Sequence, residues 1–276
     1  MTFKPIVPIG GLAGFRFIER TKETQQATFN NSPSIARDIE YFKENIKNAA
    51  TADDLTNDYR LLKVALGAFG LETEIGKKYF VNRILSEGTD EPTALANKLV
   101  DTRYQKLARE FGYGNQEGPA IEQSDFAEKI ISKYKTQKFE AAVGESDNNI
   151  RLALNFQREI MAFSDPEART DTQWYQIMGN SPMRTVVETA LGLPTSVGAL
   201  SVERQLEIFK EKTSALYGSE KVSAFTETDN LENLVKDYLL RAQSAPNLNS
   251  GAKGYSALVL LQSSNSSGAN LLLSKL

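Results

Sequence analysis

The chain has 276 residues, 41% hydrophobic and 24% charged, with a formal net charge of −3 and neither cysteine nor histidine. That length and balance allow a sizeable core and exclude wholesale disorder. The 32 basic residues are scattered among 35 acidic ones, so the concentrated positive field that binds nucleic acid is absent. Lack of Cys excludes disulfides, thiolate nucleophiles and zinc–thiolate sites, and lack of His excludes Ser-His-Asp and Cys-His catalysis and most transition-metal sites. Carboxylate, lysine and tyrosine chemistry stays open.

The opening Met1–Leu12 is broken by Pro5, Pro8, Gly10 and Gly11, so it does not read as a secretory signal. No segment approaches the roughly 18 apolar residues of a membrane span; the longest run, Ala257–Leu261, has five. A cytoplasmic location is the default expectation. Periodicity then predicts helices almost end to end, at 12–30, 33–48, 73–87, 92–111, 124–139, 147–163, 183–191 and 201–216. Between them Leu55, Tyr59, Leu62, Leu66 and Phe69 form one helical stripe, capped by Thr51 with Asp54 and stopped by Gly70. Leu231, Leu234, Val235, Tyr238 and Leu239 form another. Ser32-Pro33 and Ser181-Pro182 each place a capping hydroxyl before a proline suited to a first helical turn. From Asn149 to Phe163 apolar residues, Met161 included, point around most of the circumference, as in a helix buried on several sides. Sustained alternation and hairpin turns are missing. The expected fold is all-α and multihelical, with about ten helices.

Ala68–Gly76 aligns without gaps on Ala190–Gly198, 122 residues later, with five of nine positions identical. Upstream of each lies an aromatic pentad, Asp38–Phe42 and Asp171–Tyr175. These likenesses suggest a helix–turn–helix unit used twice. In this reading Gly70 and Gly192 are left-handed C-caps, covered by Leu71 and Leu193, and Gly76 and Gly198 are the last identical pair of the two strings. Tyr41, Phe42, Trp174 and Tyr175 are core aromatics or a matched pair of docking surfaces. The chain divides into an N-terminal segment and helix (1–31), a first helical repeat unit (32–118), a second helical unit (119–246) and a flexible Ser/Asn-rich tail (247–276). Gly112–Pro119 is the clearest loop between units.

Three sequence echoes of known sites fail on inspection. Gly112-x-Gly114-x-x-x-Gly118 follows a helix where a dinucleotide site needs a strand. Asp147–Asn149 lacks the glycine and the twelfth-position Glu of a calcium loop and reads better as a helix cap. Ser132-x-x-Lys135 with Ser146-Asp147-Asn148 copies two β-lactamase motifs, but without Lys-Thr-Gly or a sheet to carry it.

Several strings together carry a resemblance: Phe17–Thr21, Leu61–Leu71, Ala142–Glu145 with Arg151–Leu154, Trp174-Tyr175, Glu188–Pro194, Gly198–Leu200 and Leu239–Gln243. They cover almost the whole chain, which resembles the alphaproteobacterial domain of unknown function family 1217. The resemblance implies a multihelical protein encoded among flagellar genes, some relatives being labelled flagellar or basal-body rod proteins. It supplies no catalytic, cofactor-binding or metal-binding residues. The expectation is a non-enzymatic, flagellum-associated protein acting in structure, assembly or motor function through contacts with other proteins, flagellar components among them, with no cofactor, nucleic acid or membrane span. Its adhesive termini would be the helix bearing Leu12, Phe15, Ile18 and Phe29 and the tail ending Leu271–Leu276. One alternative is a cytoplasmic helical adaptor or export chaperone with an apolar groove between the repeats. A remoter one is an enzyme using carboxylates or lysines.

Overall fold

The computed structural model describes residues 3–165 and 167–244, and the expected tail lies outside them. Among the described residues there are α-helices and 3-10 turns and no strands, which makes the protein all-α and multihelical. The helices are α1 (Gly11–Asn30), α2 (Pro33–Asn45), α3 (Ala52–Asn57), α4 (Tyr59–Ala68), α5 (Lys78–Glu87), α6 (Leu95–Lys98) and α7 (Thr102–Phe111). They continue with α8 (Phe126–Gly144), α9 (Asn148–Ile160), α10 (Thr170–Met178), α11 (Ser181–Ala190), α12 (Val202–Tyr217) and α13 (Thr228–Ser244). The described residues as far as Ala242 form one compact unit. None of these helices is long and apolar enough to cross a membrane.

Two helices form the middle of the core. Leu61, Leu62, Val64, Ala65, Leu66, Gly67 and Ala68 of α4 are all buried, as are Ile150, Leu152 to Phe156 and Ile160 of α9. A helix apolar nearly all round must be covered on several sides. α4 is covered by α2, α3 and α8, and α9 by α8, α11 and α1, so α8 packs against both. The loop at 112–119 therefore precedes a helix that packs back onto α4. α1 is part of this body: Phe15, Ile18 and Phe29 are buried, and Phe29 meets Phe139 of α8 edge-on at 6.0 Å.

Local chemistry fixes several helix ends. Thr51 and Asp54 form a complete capping box at α3. Asp147 caps α9 by accepting from the Asn149 and Ile150 amides, and it also accepts from the Gly11 amide at the start of α1. Gly70 and Gly192 take φ of +68° and +66°, and both turns close alike. The Leu71 amide donates to the Leu66 carbonyl and the Leu193 amide to the Glu188 carbonyl, each at 2.9 Å, the six-residue bond of a Schellman turn. α4 packs against α2 and α8, and α11 against α9 and α10.

Several expectations about helix ends and faces need correction. The helix expected at 92–111 is two, α6 and α7, separated by residues 99–101. The stripe from Leu55 to Phe69 is two helices, because the Asp58 carboxylate captures the Arg60 and Leu61 amides and starts α4 afresh. Tyr59 is thereby turned out, 57% exposed. Neither serine caps by its hydroxyl: Asn180 accepts from Met183 at the start of α11, and the buried Ser32 hydroxyl has no partner among the described residues. Met161, expected inside, leaves α9 on a 3-10 turn and is 50% exposed.

Gly67 is the tightest point of the α4–α8 contact, since a Cβ there would lie 2.8 Å from two ring carbons of Tyr134. Alanine ordinarily improves a helix by about 1 kcal/mol over glycine. Gly67→Ala should nevertheless destabilise the protein, by about 1–3 kcal/mol, because a packed ring must move. Urea denaturation measures it, and a gain in stability would contradict the packing described.

Candidate functional site

Helices α4, α7, α8, α9 and α11 surround a cleft of about 410 Å³. Its lining carries six cations, Arg103, Lys106, Arg109, Lys133, Arg151 and Arg158, against two carboxylates, Glu110 and Glu159. The cleft is thus locally basic in a net acidic chain. Three of these helices contribute polar stripes at helical spacing: Arg103, Lys106 and Arg109 on α7, Lys133 and Gln137 on α8, and Arg151, Asn155 and Arg158 on α9.

One buried pair anchors the arrangement. Glu140 of α8 is 1% exposed, and Arg158 of α9 grips both its oxygens, Nε to Oε1 at 2.8 Å and an Nη to Oε2 at 3.0 Å. Arg158 also pairs with Glu159, which accepts from Lys106 of α7 at 2.5 Å. Burial works against the Arg158 charge, but Glu140 and Glu159 outweigh it and raise its pKa. Burial likewise opposes the Glu159 charge, and Lys106 and Arg158 overcome it and hold the carboxyl below its ordinary range. Glu110 follows the same pattern, lowered by Lys129 and Lys133 against the cost of burial. Lys133 also lies 5.0 Å over the Phe69 ring.

The remaining cations divide into bound and unbound. Arg103 is held by both Asp101 oxygens and donates to the Gly70 carbonyl at 2.6 Å. Among the described residues Arg151 donates only its Nε, to Asn148 at 2.8 Å, and Arg109 forms no ion pair. Burial pushes the Arg151 pKa down, and neighbouring Arg103 adds to that while Glu140 opposes it. Gly144 at the end of α8 makes room for the Arg151 stem, since a Cβ there would lie 2.6 Å from its Cδ. Among the described residues no group of three or more acidic side chains could hold a metal ion.

Of the ten residues singled out in the sequence, only Gly70 lines this cleft. Phe42 and Trp174 are fully buried, Trp174 donating to the Glu220 carbonyl and meeting Phe209 and Phe225 edge-on. Tyr41 joins α2 to α4, its hydroxyl 2.6 Å from Asp58 and its ring under Arg60. Tyr175 is 42% exposed. Leu71 is buried and Leu193 partly so, while Gly76 and Gly198 lie exposed on 3-10 turns. The cleft residues escaped the sequence reading, although the polar stripe on the otherwise apolar α9 was a usable signal.

Among the described residues, fold and cleft together define an all-helical protein with a polar, cation-rich recess. The chain belongs to the family described as a protein of unknown function (DUF1217), whose model matches residues 68–231. The cleft lining, from Ala68 to Pro182, falls wholly inside that match. The X-ray crystal structure of a protein from Agrobacterium tumefaciens has the same fold, with a TM-score of 0.70 at 23% identity over 87% of this chain and 98% of that one. No curated protein matches the sequence.

The network makes two predictions. Arg158→Met strands a buried carboxylate and should cost about 3–5 kcal/mol in chemical denaturation, with much of the loss recovered in Glu140→Leu/Arg158→Met. A double variant no more stable than the single would contradict the pairing. Glu110 and Glu159 have native pKa values below the ordinary 4.5. The stability they contribute is therefore complete above that value and is lost as pH falls through the lowered native values. Denaturation midpoints should decline below about pH 4.5, and less steeply in Glu159→Gln.

Proposed function

We propose that the protein is a non-enzymatic, flagellum-associated binding protein, acting in structure, assembly or motor function through contacts with other proteins. One observation carries the non-enzymatic part: both carboxylates lining the cleft are tied to lysines or arginines and driven toward their charged form. Proton transfer near neutrality needs the opposite, a carboxyl raised toward the working pH. Such ion pairs hold geometry for recognition. The flagellar part rests on the family resemblance of the sequence. The burial of Phe15, Ile18 and Phe29 favours a folded accessory or assembly protein over a subunit with a free adhesive N-terminus.

A second reading has its own support. The groove between α1, the end of α9 and α13 is about 520 Å³, lined by Leu12, Phe15, Leu231 and Val235 beside the exposed Met161. Arg16, Glu19, Glu232 and Lys236 line it as well, and a groove that mixes apolar and charged side chains suits an adaptor or export chaperone that takes an amphipathic helix.

Deleting the gene should impair swimming or basal-body assembly, scored by motility and electron microscopy. Normal swimming with normal flagella would overturn the flagellar reading. Finding the protein in cytoplasmic fractions and absent from purified flagella would favour the adaptor.

A further inference from the structure

We infer that the basic cleft is a seat for an acidic, extended segment of a partner protein: Arg151 takes a carboxylate and Asn155 accepts a backbone N–H from the same segment. The inference rests on the reading of the protein as a binding module and names the chemistry of one of its partners.

Four observations point the same way. First, Arg103, Lys106, Lys133 and Arg158 each have a carboxylate, whereas the two Nη groups of Arg151 have no hydrogen-bond partner among the described residues. A guanidinium offers its Nη groups as a fork that fits a carboxylate. Second, Asn155 is 7% exposed, lines the cleft, and has an Oδ1 with no partner among the described residues. Its Nδ2 faces the Glu140 carboxylate at 3.5 Å, which turns the acceptor end away from Glu140. Buried acceptors left unpaired are costly, and a ligand N–H would relieve this one. Third, Arg151 and Asn155 stand one helical turn apart on α9, a separation of about 5–6 Å between their Cβ atoms. That spacing suits an acidic residue presenting its carboxylate and a nearby main-chain amide together.

Fourth, the first cleft holds a second arginine, Arg109, with no ion pair among the described residues. Arg151 stands where that cleft meets a neighbouring recess lined by Glu72, Glu140 and Glu145 as well as Lys138, so the basic seat is the first cleft alone. Two separated arginines in one cleft fit several carboxylates on one extended chain better than a single small anion.

The test uses the full chain and the peptide acetyl-Gly-Asp-Glu-Asp-Gly amide, with acetyl-Gly-Asn-Gln-Asn-Gly amide as its neutral counterpart. Isothermal titration calorimetry should show binding of the acidic peptide and at least about tenfold weaker binding of the neutral one. Arg151→Met should weaken the acidic peptide at least about tenfold, Asn155→Leu several-fold, and Lys236→Met, in the distant groove, not at all. Arg151 holds no carboxylate, so Arg151→Met should melt at or above the native temperature, which separates recognition from a structural role. Equal binding of both peptides, or native binding by Arg151→Met, would overturn the inference. So would sodium phosphate or acetate binding through Arg151 while the peptide does not. A cellular partner that co-purifies equally with native protein and Arg151→Met would refute the cleft assignment while leaving the binding-module reading intact.

Discussion

The Glu140–Arg158 pair is the constraint on which the arrangement of the central helices depends. A carboxylate 1% exposed near the C-terminal end of α8 needs partners for both oxygens, and Arg158 supplies them. That requirement fixes the rotation of α8 against α9, because the two side chains meet in only one register. It also draws in Glu159 and, through it, Lys106 of α7. An apolar packing of the same helices would tolerate sliding; a bidentate ion pair does not. Since Arg151 and Asn155 lie on the same helix as Arg158, the pair also decides where their side chains stand.

Around this polar seam the packing is ordinary and close. Gly67 lets the Tyr134 ring rest on α4, and the Tyr134 hydroxyl reaches Asp38 of α2, which also holds Lys63. α2, α4 and α8 are therefore joined by a second buried polar cluster, this one with its charges paired internally. The contrast between the two clusters is informative. The Asp38 cluster has a cation for its carboxylate and stays closed. The α7–α8–α9 cluster leaves the Arg151 Nη groups and the buried Asn155 amide oxygen without hydrogen-bond partners among the described residues, on residues that line the cleft.

Much of the fold was legible because helix formation is local. Capping chemistry at Thr51, Asp54 and Asp147 and the left-handed turns at Gly70 and Gly192 mark boundaries within a few residues of sequence. The errors were also local, where two side chains compete for one role. Asp58 outbids continuation of the helix, and Asn180 supplants Ser181 as the cap. The cleft was illegible for a different reason. Its cations come from α7, α8 and α9, and a net charge of −3 averages away a basic surface that only folding assembles. Aromatic residues drew attention as docking candidates, yet Phe42 and Trp174 are core residues, the commoner fate of large rings at helical spacing.

The central claim is that one buried ion pair holds α8 and α9 so that the Arg151 guanidinium is presented, unpaired, to an acidic ligand. Nitrogen-15 NMR of the arginine side chains observes that group directly. On titration with the acidic pentapeptide, the Arg151 guanidinium signals should shift and sharpen as rotation and solvent exchange slow. The Arg158 signals, already protected by Glu140, should stay in place. Unchanged Arg151 signals at saturating peptide, or shifts at Arg158 showing that the pair opens instead, would contradict the account.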